Sequence, residues 1–163
     1  MGHGAPVIVA PFMHPDLFTD SWVQAWAREL NASESYHHAA RHWTWPVLLV
    51  LRADRTGGID EDRTVYLDLF HGECREARMG TVADRERVKY VIAGNLETWQ
   101  RVLRRELDPV LALLRRKLDL EKGGLFALTR HVRAAKELVN AAIRATASSA
   151  PPSGAANEDL LRD

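Results

Sequence analysis

The side chains able to do chemistry in this chain are few, and they fall into three groups. His71, Glu73 and Cys74 bring together a base, a carboxylate and a thiol, the ingredients of a nucleophile activated by a neighbouring group. Gly72 makes a turn there and side chains alternate along a strand, so closeness in sequence does not imply convergence. A reactive cysteine also needs an electropositive setting, and a surface turn with a free thiol is the simpler reading. His38 and His42 have the i, i+4 spacing by which a helix can hold a metal. Two imidazoles leave a tetrahedral site half filled, and no Glu follows His38 in the metalloprotease pattern, so His37, His38 and His42 read as a solvated polar face. His131 flanks an apolar stripe and reads as a boundary histidine, a residue type of intermediate burial. No catalytic motif, metal site or cofactor site is expected. A small enzyme using His71, Glu73 and Cys74, with His131 as a further candidate, is the weaker alternative.

What the chain has in surplus is apolar surface, concentrated between Asn95 and Ile143. Asn95 can cap a helix, with Glu97 in its positive first turn and Arg104 and Arg105 in its negative last turn. Leu96, Trp99, Val102, Leu103 and Leu107 recur at steps of three and four and form one stripe. Asp108 and Pro109 open a second helix, where the missing N–H of proline costs nothing, and Val110 to Leu114 follow without a polar break. A helix apolar on all sides must be covered on all sides, by protein or by a ligand. Leu118 to Glu121 alternate as a half-buried strand, and Gly123-Gly124 leaves it. A long helix then carries Leu125, Leu128, Val132, Ala135, Leu138, Val139 and Ala142 on one face. Its small residues allow close packing or leave room beside it.

The earlier chain supplies the framework. Thr19 or Asp20 can cap a helix with Trp22, Val23, Trp26 and Leu30 on one face, and either indole is a candidate for a pocket wall. Asn31 with Glu34 resembles a capping box opening a short helix to about Trp43, with Tyr36, Ala39, Ala40 and Trp43 inward. Trp45 to Ala53 is a continuous apolar run that reads as a central strand. After a charged loop from Asp54 to Asp62, Arg63 to His71 alternates as its hairpin partner, and Glu73 to Met79 is polar enough for a sheet edge. Arg87 to Ala93 supplies another strand. Residues 1–14 read as a flexible arm, and Ala145 to Asp163 is small, polar and proline-bearing, so 147–163 at least reads as a disordered tail.

With 163 residues the chain is long enough for one domain with a real core. Its 22 basic residues balance 22 acidic ones, which removes the global field that draws a protein to nucleic acid or an anionic membrane. One cysteine excludes an internal disulfide framework. The longest apolar runs are too short for a bilayer span, and Ala5 to Met13 is a poor signal peptide because Pro6 and Pro11 break it. A cytoplasmic protein with no stable membrane insertion is expected.

The element order is therefore α-α-β-β-β-β-α-α-β-α, an α+β single domain with helices over one face of a mainly antiparallel sheet. Three stretches, Val65-Tyr66-Leu67-Asp68-Leu69, the helix pair Leu96 to Leu114, and Arg116 to Leu125 with its basic strand and glycine turn, resemble the sterol carrier protein 2 (SCP2-like) superfamily. The resemblance spans about Val47 to Ala142. It implies a five-stranded sheet, an apolar tunnel, and a bacterial-type stand-alone carrier that binds a fatty acid, fatty acyl chain or sterol-like lipid without catalysis. The expected wall is Trp99, Val102, Leu103, Leu111, Leu114, Leu128, Val132, Ala135 and Val139. A homodimer joined through the last helix is the alternative of a different class.

Overall fold

A computed structural model describes residues 16–148. The proposed arm at 1–14 and the tail beyond Ser148 lie outside the described residues. The elements are α1 (Asp20–Asn31), α2 (Glu34–Ala39), β1 (Pro46–Leu51), β2 (Arg63–Phe70), β3 (Glu73–Met79), α3 (Val82–Arg87), β4 (Tyr90–Gly94), α4 (Leu96–Leu103), α5 (Pro109–Leu114), β5 (Asp119–Lys122), α6 (Leu125–Leu128) and α7 (Val132–Ser148).

The five strands form one mixed sheet in the order β3-β2-β1-β4-β5, which makes the fold α+β as the sequence implies. β1, β2 and β3 are an antiparallel meander with the polar β3 at an edge, and β5 closes the other edge antiparallel to β4. The β1–β4 pair is parallel. β1 therefore sits at the centre and is buried on both faces, which explains its unbroken Val47 to Leu51 run. On one face Val47, Leu49 and Leu51 join the main core under the helices; on the other Leu48 and Val50 meet Val88, Val91 and Ala93.

The turns follow local chemistry. His71 and Gly72 both have positive φ, 51° and 83°, the signature of the two-residue hairpin turn whose twist matches its strands. Gly72 is required doubly, because a Cβ there would meet the carbonyl oxygen of His37. Asn95 caps α4 by accepting from Thr98 N at 2.8 Å, and Asp108 caps α5 by accepting from Val110 and Leu111 N.

Four local features depart from the sequence expectations. α2 is capped by Ser33, which accepts from Tyr36 N, and ends at Ala39 rather than Trp43; Asn31 instead clips the backbone N–H and C=O of Cys74 at 2.8 and 3.0 Å. α3 is an additional helix, and it has no apolar stripe for periodicity to find. Its buried residue is Asp84, and its signal is the capping box of Thr81 with Asp84. The last helix is interrupted by a 3-10 turn at Thr129–His131. Three residues at three per turn instead of 3.6 rotate the succeeding helix by about 60°. The fully buried residues of α7 are Ala134, Ala141, Ala142, Ala145 and Thr146; of the expected stripe Ala142 is among them, Ala135, Leu138 and Val139 stay on the core side with Leu128, and Val132 leaves it. Finally, α7 runs to Ser148, past Ile143, with Ala145 and Thr146 buried against α1, where Thr146 Oγ1 accepts from Trp22 Nε1 at 3.1 Å.

Candidate ligand-binding cavity

Between the sheet and the helices lies an apolar cavity of about 100 Å³. Its floor is Leu49, Leu69 and Ile92 on β1, β2 and β4, and Leu49 and Ile92 are register partners. Trp26 on α1, Tyr36 on α2 and Trp99 on α4 supply aromatic walls, and α5, α6 and α7 close the remaining side. The polar atoms of these indoles are turned to the protein. Trp26 Nε1 donates to Leu138 O at 3.0 Å, Trp43 Nε1 to Trp45 O at 2.6 Å, and Trp99 Nε1 to Val50 O at 3.0 Å. With these donors satisfied internally, the indoles offer an occupant dispersion and desolvation rather than hydrogen bonds. Where the resemblance implies a tunnel, the structure has a cavity of about 100 Å³.

His131 is the imidazole of the wall. It packs edge-on against Trp43 and Trp45, with ring centroids 4.8 and 5.8 Å away. Burial holds its pKa below the usual imidazole value, and His42 and Arg130 push the same way.

Of the expected wall residues, Trp99, Leu128, Ala135 and Val139 line the cavity. Val102 and Leu103 are buried in the core beside it. Leu111 and Leu114 are 43% and 51% exposed, because α5 offers the cavity only Pro109, Val110 and Leu113 and turns its opposite face to solvent. Val132 lines a separate surface depression. The sheet floor escapes a reading by periodicity, because a strand buried on both faces gives no alternation to mark which side meets the helices. Tyr36 and Trp43 are legible as inward-facing, though not as cavity wall.

The residues considered for catalysis do not converge. Glu73 is exposed and Cys74 buried, as alternation along β3 requires. Burial, then the nearby Asp68 charge, pushes the Cys74 thiol up to about 12, far from the thiolate that a nucleophile requires. His71 occupies the hairpin turn, where its Nδ1 meets Arg41 O at 2.8 Å. α2 ends before His42, so His38 and His42 do not share a helical face. Among the described residues no three His, Cys, Asp or Glu side chains are grouped to hold a metal, and no helix is long and apolar enough to cross a membrane.

No protein-family model matches the chain, and no curated protein matches it. Solved structures do. A crystal structure of sterol carrier protein 2 is 42% identical with a TM-score of 0.71, covering 78% of this chain and 97% of that one. The solution structure of a conserved hypothetical protein from Thermus thermophilus, described there as a candidate sterol carrier protein, is 40% identical with a TM-score of 0.73, covering 81% and 91%. The apo form of sterol carrier protein 2 from Yarrowia lipolytica shares the fold at 12% identity, with a TM-score of 0.52 over 74% of this chain and 88% of that one. The helices that enclose the cavity, the mixed five-stranded sheet beneath them and the identity carried across nearly the full length of two solved domains lead to one assignment: this chain belongs to the sterol carrier protein 2 family.

Proposed function

We propose that this protein binds and carries a lipid by its hydrocarbon chain, without catalysing a reaction. The observation that supports this is the cavity wall, aromatic and aliphatic on every side with its indole N–H groups already bonded to backbone oxygens. Burying about 400 Å² of ligand at ~25 cal/mol per Å² yields roughly 10 kcal/mol, against an association cost of about 4 to 15 kcal/mol. Micromolar affinity needs no charged contact on that arithmetic.

A cavity of about 100 Å³ is smaller than the ~150 Å³ that admits benzene, so a long chain enters only as the walls part. α5 and α6 are the elements suited to move. They span six and four residues, and helices this short are marginal on their own. The lipid-binding reading is further supported over a dimer through the last helix because Ala134, Ala141, Ala142 and Ala145 of α7 are buried within the same chain.

Native mass spectrometry of the purified protein, with solvent extraction of whatever it carries, tests the proposal. A discrete lipid-sized adduct, or one formed after adding long-chain fatty acids or sterols, is the expected result. A mass that stays bare after both additions would overturn it.

A further inference from the structure

Beside the apolar cavity lies a depression of about 310 Å³ lined by His38, Arg41, His42, Arg130, His131 and Arg133, with only Ala39, Val132 and Ala134 between them. Three arginines and three histidines line it and no Asp or Glu does. This departs from the rest of the molecule, whose basic and acidic residues balance. Several arginines elsewhere are met by carboxylates, Arg52 by Asp119 and Glu121, Arg75 by Asp68, Arg144 by Glu29, although among the described residues Arg28, Arg55, Arg105, Arg115 and Arg116 are not. Among the described residues Arg41, Arg130 and Arg133 make no ion pair; Arg41 donates to His38 O at 2.6 Å, and Arg130 lies 5.5 Å from the Phe126 ring centroid. Like charges gathered without a counter-charge repel one another, and the arrangement becomes favourable once an anion sits among them.

The depression adjoins the cavity. His131 and Ala134 line both spaces, so hydrocarbon walls and a basic surface lie on either side of the same two side chains. The elements responsible are the end of α2 with the turn after it, which carry His38, Arg41 and His42, and the 3-10 turn with the start of α7, which carry Arg130, His131 and Arg133.

We propose that this depression is the head-group site for an anionic amphiphile, a carboxylate or a phosphate ester, whose chain fills the apolar cavity. The inference rests on the lipid-binding reading above and narrows it, placing neutral sterols below charged single-chain lipids. Arg41, Arg130 and Arg133 hold the anion by charge-assisted, bidentate hydrogen bonds, His38 and His42 flank it, and His131 stands where head meets chain.

Binding of palmitate, hexadecyl phosphate and hexadecanol, followed by tryptophan fluorescence and calorimetry on the full chain, separates the possibilities. One or both anions should bind at least about tenfold tighter than the alcohol of equal chain length, and the comparison of the two distinguishes carboxylate from phosphate. Combining Arg41→Gln, Arg130→Gln and Arg133→Gln, all at exposed positions, should remove that advantage while leaving hexadecanol affinity unchanged. Equal affinity of anions and alcohol for the unaltered protein would overturn the head-group site and leave the lipid-binding reading standing. Loss of anion and alcohol binding alike in the variant would also overturn it. Failure of all three probes would overturn the head-group site, and a mass that also stays bare with sterols would overturn the lipid-binding reading with it.

Discussion

Asp84 is 1% exposed and still charged. Arg78 donates to both of its oxygens, at 2.6 and 3.0 Å, Thr81 N adds a third bond at 2.8 Å, and Arg87 approaches from the same helix. The Arg78 hydrogen bonds outweigh burial and hold the carboxyl well below the usual carboxylate range. A folded pKa depressed in this way stabilises the protein fully above the ordinary carboxylate value of about 4, and that stabilisation is lost as pH falls through the folded value. Asp84→Asn should therefore cost about 3 kcal/mol at pH 7 by leaving Arg78 without its main partner. In urea titrations the gap between variant and parent should narrow as pH drops below about 4; a constant gap would show that the pair is not the source. The opposite case is Tyr90, whose hydroxyl is buried with no hydrogen-bond partner. Removing an unsatisfied buried group relieves its desolvation, so Tyr90→Phe should raise stability by about 1 kcal/mol in the same assay.

Among the elements, α5 and α6 differ from the helices around them. α4 and α7 bury their stripes against the core, whereas α5 exposes Leu111 and Leu114 and α6 exposes Phe126, 75% open to solvent. α6 also begins at Gly124 with no side-chain cap, while α5 has Asp108. Few buried contacts and short length mark segments that open locally at low free-energy cost. Amides of α5 and α6 should accordingly exchange with deuterium sooner than those of β1 or β2, and saturation with palmitate should slow them selectively. Protection gained instead across the sheet, with α5 and α6 unchanged, would place the moving wall elsewhere.

At the scale of the whole molecule, a ligand that binds only the folded chain adds stability by mass action. At a hundredfold excess over Kd this amounts to about 2.7 kcal/mol, which for a chain of this size raises the melting temperature by roughly 8 °C. A lipid that fills the cavity should produce that rise in a concentration-dependent way, and a shorter-chain homologue should produce less. The balanced overall charge gives no long-range field of its own, so salt should alter the effect only through the local arginine cluster.

Several features of this protein were determined by the sequence alone. Periodicity found the stripe of α4, the alternation of β2 and the polar edge strand β3, because each depends on neighbours in the chain. Capping chemistry placed the starts of α4 and α5 at Asn95 and Asp108. A resemblance carried by three short stretches was enough to indicate the family. Tertiary structure decided the rest. The parallel β1–β4 pairing joins strands separated by a hairpin and a helix, and periodicity cannot report which strands become neighbours. α3 is anchored by an ion pair rather than an apolar stripe, so hydrophobic spacing is silent about it. The cavity wall was only partly legible, Trp99, Leu128, Ala135 and Val139 against Val102, Leu103, Leu111, Leu114 and Val132, because a wall and a core share one composition and spacing does not show which face of α5 meets the cavity. His38, Arg41 and His42, close in the chain, share a depression with Arg130 and Arg133 from a single distant segment, an arrangement that only folding brings together.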